Sequence, residues 1–172
     1  MQKPSPGEHR EYFQHYIDLV PDGNYIDLLN QNTDTVNRFF NSLPADKHNY
    51  RYADGKWIIK EILLHIIDTE RVFTYRALAA ARGDKETVLP MMDENLYAAN
   101  TDVSNRTMQD IIEEFNAVRM ATTKLYKNMT EEQTKYTANV AGHHTSARAI
   151  GYMIIGHVIH HIRVIQERYL LL

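Results

Sequence analysis

Three histidines carry the chemistry this sequence offers. His157 and His161 stand four residues apart in Gly156-His157-Val158-Ile159-His160-His161. On a helix that spacing stacks both imidazoles on one face. Two ring nitrogens can then bind one metal ion at near-ideal bond lengths with little backbone strain. The pair shares its stripe with Ile150, Met153, Ile154, Val164 and Ile165, so it should face a core. There both rings must satisfy polar nitrogens away from water. His65 lies between Leu63-Leu64 and Ile66-Ile67 on a second apolar stripe. Facing helices of a bundle approach to about 8–10 Å, which lets side chains of two helices share an ion. Three neutral histidines with coordination positions left open describe a catalytic rather than a structural metal site. The competing reading is three unconnected core histidines.

Spacing removes two familiar metal patterns. A zincin needs Glu directly after the first His, but Val158 stands there. Di-iron bundles need Glu-x-x-His on two helices, whereas three residues separate Glu61 from His65, and no inner carboxylate lies near His157. A mononuclear site fits better. Glu61 and Asp68 lie about one turn either side of His65 and could orient an imidazole through its second nitrogen; ordinary surface or salt-bridge roles suit them equally. His160 is rotated about 100° from His161, as a supporting group or proton carrier, or as a partly exposed polar residue at a helix contact. His143 and His144 read as surface residues of a polar loop, and His9, His15 and His48 have no partner pattern.

The elements that must position these residues are helical. The chain has few breakers, with 7 Gly and 5 Pro in 172 residues, and long apolar periods, which predict an all-α four-helix bundle. The first helix runs from about Tyr25 to Leu43, stopped by Pro44. The second begins near Asp54–Trp57 and ends at Gly83, a C′ glycine. The third spans about Thr107–Asn128, with Ser104 or Asn105 as cap. The fourth spans about Ser146–Tyr169, capped by Thr145 or Ser146. An amphipathic piece at Glu8–Val20 precedes them, set off by the turn Pro21-Asp22-Gly23. The organisation expected is one domain over 1–172, with 1–23 as an N-terminal extension packed on it. The second helix is roughly 40 Å long at 1.5 Å per residue. The connection from Gly83 to Arg106 can cross that length at about 3.3 Å per residue. Helices two and three can therefore run parallel, with an overhand crossover, as well as form a simple hairpin. Its stretch Leu89–Tyr97 could fold over a bundle end.

Composition narrows the function classes. Hydrophobic residues at 44% and charged residues at 24% are ordinary for a globular protein. A formal net charge of −3 supplies no basic field for nucleic acid. With no cysteine, disulfides, thiolate metal sites and cysteine nucleophiles are excluded. MQKPSPGEHREYF lacks the pattern of a secretory signal, and charged residues or His interrupt every apolar run before membrane-spanning length. The expectation is a soluble, cytoplasmic protein acting on a small molecule, with no nucleic acid or membrane partner.

Gly55-Lys56-Trp57-Ile58 through His65-Ile66-Ile67-Asp68-Thr69-Glu70-Arg71 resembles the second helix of the DinB-like bundle proteins. Tyr75-Arg76-Ala77-Leu78 and Ala81-Arg82-Gly83-Asp84 continue the likeness. Asp93-Glu94-Asn95 and Tyr97 resemble that family's crossover, and Ser146–Ala149 with Gly156–His161 its last helix. Glu167-Arg168-Tyr169-Leu170, Tyr16-Ile17 and Val20–Gly23 match as well, so the likeness covers nearly the whole chain. Ile58 departs from it, because relatives commonly carry a small hydroxylated residue after the Trp, which bears on a helix cap. The resemblance implies an up-down-down-up bundle, often a homodimer. It implies a divalent ion, usually zinc or nickel, on His65, His157 and His161. Family activities include transfer of low-molecular-weight thiols such as bacillithiol or mycothiol onto electrophiles, and a thiol-dependent isomerisation; many members are labelled metal-dependent hydrolases. Here any thiol must come from a cofactor. Substrate would enter from the end closed by 84–106, with Trp57, Arg76, Asn95 and Tyr97 as candidate lining, or as core and rim packing. The reading of a different class is a non-catalytic metal-binding bundle that associates with itself or a partner.

Overall fold

Helices dominate residues 1–171, which the computed structural model describes. A 3-10 turn (Glu11–Phe13) leads into the short α1 (Gln14–Asp18). There follow α2 (Tyr25–Ser42), α3 (Ile59–Ala81), the short α4 (Glu94–Ala99), α5 (Met108–Lys127) and α6 (Ala147–Val164), whose last turns widen into a π-helix at Ile165–Leu170. The long helices α2, α3, α5 and α6 form the bundle.

Side-chain partners fix their directions. Lys60 Nζ donates to the carbonyls of Val103 and Arg106, and fourteen residues further along α3 the Thr74 hydroxyl meets Thr122. Rising numbers meet rising numbers, so α3 and α5 are parallel. On α6 the order reverses: Tyr169 donates to the Trp57 carbonyl at one end, and Phe73 faces His157 further along. Between α2 and α5, Asn37 pairs with Asn116 and Tyr25 packs on Tyr126, again antiparallel. The topology is up-down-down-up, and the connection from Gly83 to Arg106 is the overhand crossover. It is required because a parallel neighbour must begin at the far end of α3, about 35 Å away at 1.5 Å per residue.

Local chemistry sets the helix ends. Gly83, with φ +77°, follows the last turn of α3, and the Asp84 N–H reaches the Ala79 carbonyl across it, a Schellman stop. The start of α3 lies later than expected, at Ile59, because Gly55 is left-handed and Ile58 is extended. Ile58 is therefore the N-cap, with no oxygen to offer; instead the Glu61 carboxylate accepts the Ile58 N–H at 2.7 Å. The cap of α5 is Thr107, accepting from Asp110 N–H, rather than Ser104 or Asn105. Ser104 is held in a turn by the Asp102 carboxylate instead. Ser146 caps α6.

A three-stranded sheet was not expected. Strand β1 (Val88–Leu89) pairs in parallel with β2 (Thr137–Val140), which forms an antiparallel hairpin with β3 (His143–Ser146). Ala141 and Gly142 both have positive φ, at 49° and 84°, as a two-residue type I′ turn needs. His143 and His144 lie on β3 and are exposed.

The N-terminal segment packs along α6. Ile17 and Val20 are buried, and the Glu8 carboxylate accepts hydrogen bonds from Ser146 Oγ at 2.7 Å and from the Arg148 guanidinium. Deeper in the bundle Arg119 and Glu70, both buried, form a two-point ion pair at 2.7 Å, and Arg119 also donates to Asn32 Oδ1 at 2.8 Å.

Candidate metal centre

The antiparallel pairing of α3 and α6 brings His65 opposite His157 and His161. The Nε2 atom of His157 lies 3.1 Å from that of His65 and 3.0 Å from that of His161. One ligand atom from each of the three can be chosen within 4.8 Å of the other two. Tetrahedral zinc with bonds of about 2.0–2.1 Å separates its nitrogen ligands by about 3.3–3.4 Å, so the spacing is close to that of a shared ion. Three Nε2 atoms facing each other are a poor hydrogen-bond arrangement, since each neutral nitrogen either donates or accepts once. Three converging lone pairs suit a cation.

The environment keeps those lone pairs free. Burial, then the neighbouring His160, holds His65 down at about 4. Burial pushes His157 and His161 well below the usual imidazole range, and the neighbouring histidines push the same way. All three rings are neutral near pH 7, the form that ligates metal. The donor set therefore fits a divalent ion of borderline character.

The cluster opens into a cleft of about 340 Å³, within the range of small-molecule sites. Trp57 stands 4.8 Å ring-to-ring from His65. Thr69, Phe73 and Arg76 continue the wall along α3, Met91, Met92 and Glu94 come from the crossover, and Tyr12, Phe13 and Tyr16 from the N-terminal segment.

Residues 28–165 match the family model described as the DinB superfamily. The chain belongs to the DinB superfamily. It is 26% identical over 101 residues to a protein of Oceanobacillus iheyensis named "Putative metal-dependent hydrolase OB0413". That match covers 59% of this chain and 57% of the relative, so it spans little more than half of the relative's length. Among solved structures, YfiT from Bacillus subtilis, titled "a probable metal-dependent hydrolase with an unusual four-helix bundle topology", superposes with a TM-score of 0.71. It covers 99% of this chain and 93% of YfiT at 15% identity, a likeness of fold.

In this DinB superfamily protein the remaining candidates divide by position. Trp57 and Arg76 line the cleft. Tyr97 is exposed and lines two smaller hollows beside it, one of them shared with Glu61, His65 and Asp68. Asn95 is exposed on α4 and is not among the residues lining the cleft. Glu61 is engaged as the helix cap described above, and Asp68 pairs with Arg71 at 3.1 Å. Burial raises the Asp68 carboxyl against the pull of Arg71. Neither carboxylate is hydrogen-bonded to His65. His160 is half-buried between Tyr16 and His15, with its ring 5.0 Å from that of His161. The N-terminal aromatic wall was not singled out from the sequence. Its signal was the amphipathic Glu8–Val20 piece, whose apolar side includes Phe13, Tyr16 and Ile17.

Proposed function

We propose that this protein is a metal-dependent enzyme, with His65, His157 and His161 holding one divalent ion at the wall of the cleft and water serving as nucleophile in a hydrolysis. The convergence of three neutral imidazole nitrogens on an open cleft carries the reading. The description of the Oceanobacillus and Bacillus relatives as metal-dependent hydrolases, "putative" in one and "probable" in the other, supports it. An ion such as zinc or nickel, if held by His65, His157 and His161, would supply Lewis acidity and lower the pKa of a water or thiol bound to it.

The chain's own residues do the rest. Burial fixes His157 between helices, and Trp57 packs beside His65 to limit its rotation. Phe13, Phe73, Met91 and Met92 give the cleft an apolar lining that excludes water from a bound substrate. The second reading is transfer of a low-molecular-weight thiol. The cysteine-free chain would take that thiol as a cofactor.

The test is a screen of ester, amide and electrophile substrates on metal-loaded protein, with and without added thiols. Turnover that is lost with chelator and indifferent to thiol supports hydrolysis. Turnover that requires thiol selects transfer instead. Turnover unchanged in a His157→Ala/His161→Ala variant would contradict both, and no turnover with any substrate, metal or thiol would leave the bundle as a non-catalytic module.

A further inference from the structure

Arg76 and Arg119 are both almost fully buried, at 4% and 1% exposure, yet their surroundings differ. Arg119 is answered inside the bundle by Glu70 and Asn32. Arg76 takes part in none of the ion pairs among the described residues. A guanidinium carries five N–H donors, and Arg76 uses one nitrogen, Nη2, toward the Pro90 carbonyl at 2.6 Å. The other nitrogens are not sealed off either: the buried polar atoms without partners are His9 Nε2, Arg10 Nε and Tyr25 Oη, none of them from Arg76. The residue lines both the cleft that the three histidines share and the neighbouring hollow beside Pro90 and Tyr97, so its guanidinium borders that space.

A second guanidinium adds to the charge. Arg10, bound through Nη2 to the carbonyls of Val140 and Ala141, also has no carboxylate partner among the described residues. Burial first, and then the charge of Arg10, push Arg76 below its ordinary pKa. A buried, uncompensated charge is costly unless paired. Glu94 lines the same cleft but takes part in none of the ion pairs among the described residues.

We propose that Arg76 is the recognition site for a carboxylate on the substrate, so that the cleft takes a small molecule with an apolar body and an anionic end remote from the three histidines. A planar guanidinium grips a carboxylate through two parallel hydrogen bonds. Arg76 follows His65 by eleven residues on α3, which puts their backbones about 16 Å apart at 1.5 Å per residue. Phe73 lies between them, with its ring 5.7 Å from the Arg76 guanidinium, and suits the apolar body. Binding energy gathered at such a remote group can position the reacting bond.

This inference rests on the cleft being the substrate site, and it is separable from the metal. Chelator-treated protein is titrated with 4-phenylbutyrate and with its neutral amide, and binding is followed by NMR shifts of the arginine Nε–H and backbone signals. The carboxylate is expected to bind at least about tenfold more tightly than the amide. That preference disappears in Arg76→Gln and weakens in Arg76→Lys, with circular dichroism unchanged. Equal binding of the two compounds by the wild-type protein overturns the proposal without recourse to any variant. An undiminished preference in folded R76Q overturns it as well. A His157→Ala/His161→Ala variant that binds no metal but keeps the preference upholds the carboxylate site, whatever becomes of the metal reading.

Discussion

The main-chain carbonyl of Tyr16 occupies the space that a β-carbon on Gly156 would need. Helix α1 therefore lies backbone to backbone on α6, beside His157, and the Tyr16 ring reaches 5.4 Å from both His157 and His160. A Gly→Ala change inside an exposed helix ordinarily stabilises by up to about 1 kcal/mol. Here the opposite sign is expected, because the added carbon meets backbone that cannot swing aside. Gly156→Ala should cost about 1–3 kcal/mol in urea unfolding and speed hydrogen exchange in residues 11–20. An unchanged midpoint would show that α1 is not seated as described.

Arg119 and Glu70 should behave as one unit. Removing one partner of a buried pair leaves a charge without an answer, at a cost of about 3–5 kcal/mol. Glu70→Leu is expected to lose that much in urea unfolding. The double variant Glu70→Leu/Arg119→Met should lose less than Glu70→Leu alone, since both charges are gone. A double variant weaker than the single would count against the pairing.

Acid should act in two windows. The three clustered histidines have folded pKa values below the unfolded value near 6.5, with His65 at about 4. The unfolded chain then binds more protons, so stability is complete above pH 6.5 and falls as pH drops toward 4. Burial alone would raise Glu8, but hydrogen bonds from Arg148, the Ser5 N–H and Ser146 outweigh it and hold the carboxyl at about 2. Its contribution is present above 4.5 and is lost as pH falls toward 2. In metal-free protein, Glu8→Gln should flatten the stability–pH slope below 4.5 and leave the slope between 6.5 and 4.5 intact. A change confined to the upper window would contradict the assignment.

Trp57 is the sole tryptophan, and its ring stands 4.8 Å from that of His65. Its fluorescence should report occupation of the site. Nickel, an open-shell ion, is expected to quench it to saturation near one equivalent, and His157→Ala/His161→Ala should abolish the saturable phase. Identical quenching in both proteins would place the ion elsewhere.

Much of this was legible in the sequence, for physical reasons that also explain the omissions. The bundle and its histidine face show because a helical period repeats over many residues, and residues four apart on one face stay together whatever the rest of the fold does. The crossover was legible as a length, since Gly83 and Arg106 are too far apart in sequence to require a hairpin. The sheet was not, because two- and four-residue strands are too short to display alternation, and Ala141-Gly142 is a weaker turn signal than Asn-Gly. Thr107 rather than Ser104 is the cap because the chain first makes a turn in which the Arg106 N–H meets the Val103 carbonyl, and the helix begins only at Met108, a boundary that spacing alone does not reveal. The aromatic wall of the cleft depends on where α1 docks, and only Gly156, a helical glycine without an evident local reason, hinted at that contact.

The most direct test of the metal centre is the metal content of untagged protein, measured by mass spectrometry after exhaustive dialysis. One equivalent of divalent ion per chain, falling to background in His157→Ala/His161→Ala while helicity is retained, is the result this account predicts. Substoichiometric metal that zinc or nickel cannot restore to one equivalent, or full retention in the double variant, would contradict it.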